Sequence, residues 1–259
     1  MRQTIDAAAF QQMVIHAAAA IRAEKQRIND LNVFPVPDGD TGTNMSLSIG
    51  AAAAEMKKQS FDTVGKAAQA TASALLRGAR GNSGVILSLL FRGFAKAIKE
   101  RETMDGRDLA IALDFGVAAA YKAVMKPAEG TILTVSRLAA ARAAGAARED
   151  NCFEAVLEAA IQEGQLALAD TVNQNPVLKK AGVVDARGKG YLLILDGMLT
   201  ELRGEPMPET EAGESREEKA DFATMAAEDI TFAFDTVFIV RKAMADISLE
   251  PLRTYLNLS

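Results

Sequence analysis

Asp38 and Asp40, separated by a single glycine, sit in the stretch Val33-Phe34-Pro35-Val36-Pro37-Asp38-Gly39-Asp40-Thr41-Gly42-Thr43-Asn44-Met45. At that spacing an extended backbone sends both carboxylates to one side, where they can share a hard divalent cation. Thr43 and Asn44 open an apolar helical run, and a helix start offers unpaired N–H groups and a positive dipole end to an anion. A cation holder beside an anion cradle is the arrangement a magnesium–nucleotide site requires. The plainer alternative is a tight turn whose aspartates cap the next helix. An EF-hand calcium loop is excluded by spacing, because the positions that would need Gly and Glu hold Thr43 and Ile49.

A second candidate cradle is Gly78-Ala79-Arg80-Gly81-Asn82-Ser83-Gly84, followed by an apolar helix from Val85 to Ile98. Its small residues let a ligand approach the backbone, and Asn82 and Ser83 can donate hydrogen bonds where the helix begins. The Gly-Lys-Ser/Thr ending of a Walker loop is missing, and a glycine-softened interhelical turn is the alternative. A third glycine-bearing loop runs from Val183 to Gly190. Lys126, in the turn 126–130, is expected as an exposed lysine within reach of a phosphate. His16, the only histidine, falls beside an apolar stripe and is expected to be solvated or locally bonded, with no chemistry assigned. Cys152, the only cysteine, reads as a small apolar residue near a helix start.

The elements that must position these residues are helical. Pro35 and Pro37 forbid a regular helix or central strand, so the aspartates lie in a shaped loop. A long helix from Asp6 delivers the chain to that loop, with Phe10, Met13, Val14, Ala17, Ile21 and Ile28 on one stripe. Further helices are expected over 44–58, 61–77, 85–98, 108–125, 131–147, 153–172 and 191–202. Eight helices with short connections describe an all-α bundle or barrel over residues 1–202. Residues 203–225 read as an acidic linker. From 226 to 259 the chain turns β-branched and aromatic at Asp229–Val240 and then helical from Leu249, as at the start of an incomplete second, α+β domain.

The 259-residue chain carries a net charge of −5, which argues against nucleic acid as its main partner. A lone cysteine permits no internal disulfide, and no apolar run approaches a membrane span or a signal peptide, so a cytoplasmic location is expected.

The run Leu31-Asn32-Val33-Phe34-Pro35-Val36-Pro37-Asp38-Gly39-Asp40-Thr41-Gly42-Thr43-Asn44-Met45 resembles the signature of the ATP-binding subunit of bacterial fatty acid kinase, whose N-terminal domain is similar to the nucleotide-binding domain of dihydroxyacetone kinase. Gly78–Gly84, Lys126–Thr131 and the Asp185 loop occur in the family's order and spacing. The resemblance implies an eight-helix antiparallel barrel with Mg-ATP at one end and transfer of the γ-phosphoryl to a fatty acid carboxylate. A separate fatty-acid-binding protein would carry the acceptor, and a homodimer is left open. Asp38 and Asp40 match the family's metal aspartates. The preceding segment offers Asp30 and Asn32 in place of a third, and Asn32, nearer the loop, is the expected ligand or water-holder. Thr43, Asn44, Asn82, Ser83 and Gly84 match positions around the phosphates, and Asp185 and Gly188 match the loop near the nucleoside. The family's loop often has Ser-Gly where this chain has Ala186-Arg187. The alternatives are a dihydroxyacetone-type kinase of the same fold and a non-catalytic nucleotide-sensing domain.

Overall fold

The computed structural model describes residues 1–207 together with 248, 250, 251, 254 and 255. The expectations for the linker beyond residue 207 and for the strand at 229–240 lie outside the described residues, as does most of the helix expected from Leu249. Among the described residues ten helices run in order: α1 Ala7–Ala23, α2 Lys25–Asp30, α3 Thr41–Met56, α4 Val64–Gly78, α5 Gly81–Ala97, α6 Gly106–Ala123, α7 Ile132–Glu149, α8 Phe153–Gln174, α9 Pro176–Ala181 and α10 Ala186–Leu202. Beside them stands one isolated antiparallel bridge, Ile5 to Met104.

Local chemistry explains most of the helix starts. Asp6 accepts the Ala9 N–H at 2.8 Å, Asp105 and Asp108 form a reciprocal capping box, and Asn175 caps α9 ahead of Pro176. Gly182 ends α9 in the left-handed conformation, φ 68°. The structure departs from the expected boundaries in a consistent way. The first helix breaks at Glu24, and α3, α5 and α10 begin at Thr41, Gly81 and Ala186, several residues earlier than the apolar runs suggest. Their first turns are glycine-rich and lack periodic apolar residues, so they read as loop although the backbone is already helical.

The eight long helices form a closed ring. Each packs on the next, α1 on α3, then α4, α5, α6, α7, α8 and α10, and α10 returns to α1. With short connections this is an antiparallel barrel, and the two short helices, α2 and α9, occupy connections at its rim. Phe10, Met13, Ile21, Met45, Ile49, Leu75, Leu87 and Phe153 fill the interior, all under 2% exposed, and Phe10 stacks on Phe94 with ring centroids 6.1 Å apart. No described helix is long and apolar enough to cross a membrane.

Glycines set the tightest contact of the ring. A Cβ on Gly93 of α5 would lie 2.1 Å from the Phe115 carbonyl oxygen of α6, and one on Gly116 of α6 would lie 2.6 Å from that of Leu90. Backbone cannot yield as a side-chain tip can. Gly93→Ala is therefore expected to cost about 1–3 kcal/mol, read as a lower urea midpoint at unchanged slope.

The antiparallel order sorts the helix ends. At one rim lie the starts of α3, α5, α7 and α10. At the other lie the starts of α1, α4, α6 and α8, tied together by the Ile5–Met104 bridge and by Gln11, whose amide donates to the carbonyls of Met56 (2.9 Å) and Gln59 (2.8 Å).

Candidate functional site

The loop between α2 and α3 crosses the first rim. Asn32, 3% exposed, donates its amide to the Val36 carbonyl at 2.9 Å and to Asp38 Oδ1 at 2.8 Å, while its own carbonyl accepts from the Thr41 hydroxyl. This buried residue ties the loop to the start of α3 and orients the Asp38 carboxylate from behind. The Phe34–Pro35 peptide in the same loop is cis.

Asp40 holds the N-cap position of α3, yet its side chain makes no capping hydrogen bond. Asn29 of α2 does that work instead, accepting the Thr43 N–H and donating to Thr43 Oγ1, both at 3.1 Å. Neither aspartate is consumed in closing the helix, so the plainer capping role does not describe them. The same contacts turn Thr43 toward α2, away from the pocket that the loop overhangs.

That pocket, about 270 Å³, is lined by Asn32, Asp38, Asp40, Thr41, Asn44, Gly81, Asn82, Ser83 and Arg187, with Pro35 and Val36 completing the wall. Thr41 Oγ1 and Ser83 Oγ lie 3.4 Å apart, so α3 and α5 present adjacent hydroxyls. Gly81, at φ 56°, lets the start of α5 come close: a Cβ there would sit 2.4 Å from Asn44 Nδ2. Arg80 provides no side-chain cap for α5, and among the described residues no hydrogen bond takes up the amides of Gly81, Asn82 and Ser83. Two helix starts and their open N–H groups thus stand opposite two carboxylates, which suits an anion paired with a cation. Gly84 contributes differently. Its N–H is spent on the Arg80 carbonyl, and a Cβ would fall 2.3 Å from Ser48 Oγ, so it sets the α3–α5 contact behind the pocket.

The described residues hold no cluster of three or more Asp, Glu, His or Cys side chains with metal-binding geometry. A cation here would rest on two carboxylates, neutral oxygens, water and the ligand's own phosphates. Magnesium is held that way, through one or two carboxylates plus substrate phosphate oxygens, so the residues fit it.

Asp185 lies 1% exposed behind the wall. Its Oδ2 accepts the N–H groups of Ile132 and Gly188, both at 2.8 Å, and its own N–H donates to Thr171 Oγ1 at 3.1 Å. One carboxylate therefore caps α7 and α10 together. Burial raises its carboxyl above the ordinary range, against the pull of the Arg187 guanidinium and the two amides. Gly188 is also a packing residue, since a Cβ would meet Val135 at 3.0 Å.

Arg187 was absent from the expected site residues. It is 5% exposed, donates to the Phe34 carbonyl at 3.2 Å, and places its guanidinium carbon 5.6 Å from the Phe34 ring centroid. It also borders a second cavity, about 350 Å³, which adjoins the first through Pro35, Asn82 and Arg187 and is walled largely by Phe34, Val85, Leu89, Val124 and Met125. The sequence hides it, because 183–190 reads as loop there, and only the start of α10 at Ala186 puts it in a helix's first turn. A cation in the first turn of a helix opposes the helix dipole and asks for a reason. Thr41 was missed because the helix was expected to begin three residues later. Lys126 is exposed at the edge of the second cavity.

His16 departs from expectation. It is 1% exposed and its Nδ1 lies 2.9 Å from Glu201 Oε2 in the last turn of α10, at the opposite rim, because the helix stripe on which it sits faces α10. Cys152 is buried at the start of α8, as its composition suggests.

Comparison with known proteins follows the same lines. The family model described as the DAK2 domain matches residues 35–200. Protein YloV of Bacillus subtilis (strain 168) is 43% identical over 246 residues, covering 92% of this chain and 44% of that protein. Uncharacterized protein SH1689 of Staphylococcus haemolyticus (strain JCSC1435) is 42% identical over 247 residues, covering 93% of this chain and 45% of that protein. The chain thus spans less than half the length of these relatives. Among solved structures, the dihydroxyacetone kinase of C. freundii aligns with 78% of this chain, in its native form (TM-score 0.58, 36% of that chain) and in complex with AMP-PNP and Mg2+ (TM-score 0.59, 35% of that chain). At 19% identity in both, this likeness is one of fold.

Proposed function

The chain belongs to the DAK2 domain family, and from that premise we propose that residues 1–202 bind Mg-ATP at the Asp38–Asp40 rim and transfer its γ-phosphoryl group to a fatty acid carboxylate, giving an acyl phosphate. On this reading residues 203–225 are a linker and 226–259 begin a further domain. The observation that carries it is the pairing of two carboxylates, neither spent on capping α3, with the uncapped start of α5 across one pocket. That the C. freundii dihydroxyacetone kinase was crystallised with AMP-PNP and Mg2+ supports a nucleotide and a metal for the same fold.

Each residue then has a task. Asp38 and Asp40 hold the metal, and Asn32 fixes Asp38 and completes the set directly or through water. Bound there, magnesium would neutralise phosphate charge. Thr41, Asn44, Asn82 and Ser83, with the open amides of α5, align the phosphates; Thr43 and Gly84 shape the helix starts from behind. Phosphoryl transfer depends mainly on such alignment and charge stabilisation. The adjoining apolar cavity suits a nucleoside base, with Asp185 and Gly188 building the α10 start beside it.

The carboxylate acceptor is favoured by two observations. Leu31–Met45 resembles the fatty acid kinase signature, and the chain's only histidine is buried midway along α1, bonded to Glu201 and outside the pocket lining. A carboxylate with an ordinary pKa of about 4.3 is already ionised at neutral pH and needs no general base. The acceptor is brought by a separate fatty-acid-binding protein.

The test is turnover of Mg-ATP by the chain, supplied either with a fatty-acid-loaded binding protein or with dihydroxyacetone and its carrier subunit. Acyl phosphate and ADP formed only in the first mixture are expected. Turnover only in the second would move the acceptor to a small ketone, and tight Mg-ATP binding with no transfer in a chain extended to the length of its relatives would leave a nucleotide sensor.

A further inference from the structure

Arg187 is costly where it stands, and the protein groups around it do not require it. It occupies the first turn of α10, close to the start of α7, so two helix dipoles oppose its charge. Its Nε is buried with no hydrogen-bond partner, which for a charged donor is a substantial penalty. Asp185, 3.7 Å from Nη2, already has two backbone donors, and the Phe34 carbonyl uses one N–H of the five that a guanidinium offers. The acidic groups facing it are Asp185 behind and Asp38 and Asp40 across the pocket. The side chain borders both cavities at their junction, beside Asn82 and Pro35.

We propose that Arg187 is a phosphate clamp: it engages the phosphate lying between the apolar cavity and the aspartate pocket, a group that ADP and ATP share. The proposal rests on the Mg-nucleotide reading of this pocket and extends it to a residue outside the metal and hydroxyl set. A guanidinium stays charged at any working pH and its planar fork matches two phosphate oxygens, while stacking on Phe34 holds it in plane.

Calorimetry of the 259-residue chain with Mg-ADP and with Mg-ATP tests this in Arg187→Gln and Arg187→Lys, with thermal melts confirming that each variant folds. Arg187→Gln is expected to weaken both nucleotides by roughly 10- to 100-fold, the loss of a charge-assisted hydrogen bond. Arg187→Lys should recover part of that loss. Parent-like affinity in Arg187→Gln overturns the proposal, and so does Arg187→Lys no better than Arg187→Gln. A loss confined to ATP would do the same, removing the arginine from the junction. If the parent chain itself binds no Mg-nucleotide, the underlying reading fails first and the clamp with it.

Discussion

Asp38→Ala and Asp40→Ala are each expected to reduce magnesium-dependent nucleotide affinity by at least ~100-fold while leaving the helical circular dichroism of the parent unchanged. The reason lies in which groups close the helix and anchor the loop. Asn29, not Asp40, caps α3, and Asn32 anchors the loop through the Val36 carbonyl and Thr41 as well as through Asp38. Removing either carboxylate leaves that scaffold standing. It also relieves repulsion between two acidic groups one glycine apart, so the ligand-free variants are expected to melt no lower than the parent. A variant that binds Mg-ATP like the parent would take the metal away from that aspartate.

The second large effect concerns stability. Asp185→Ala removes one acceptor from two helix starts and leaves Arg187 buried without its carboxylate, so a loss of about 3–5 kcal/mol is expected in urea unfolding. Asp185→Asn keeps the shape and one acceptor and is expected to cost less. Their pH profiles should differ too. Burial raises the Asp185 carboxyl, so the folded chain holds that proton more tightly than the unfolded chain does. Its contribution is then fullest below the unfolded pKa, about 3.9, and declines as pH rises through the higher folded value. The Asn variant should lack that decline.

The long helices were legible because their apolar residues repeat at helical spacing across many turns, as in Phe10, Met13, Val14, Ala17 and Ile21. The loop around Asp38 and Asp40 was legible because prolines and glycines restrict backbone shape whatever surrounds them. The structure brings those aspartates into one pocket with Asn44, Asn82 and Ser83. Other placements depend on contacts far apart in sequence. Thr43 turns away because Asn29 reaches it, and Asp185 is withdrawn from the wall because the start of α7 needs an acceptor 53 positions distant. Arg187 joins the site only because α10 closes the ring beside the Phe34 loop. No local pattern encodes a neighbour that far off.

On the proposed function, the ring order also constrains delivery of the acceptor. The last turn of α10 lies beside Glu154 and the N-terminal segment, at the rim opposite the Asp38–Asp40 pocket. The chain therefore leaves α10 at residue 203 the full 17-residue length of that helix, ~25 Å, from the Asp38–Asp40 rim. On that same proposed function, a separate carrier approaches the aspartates from the open mouth of their own rim.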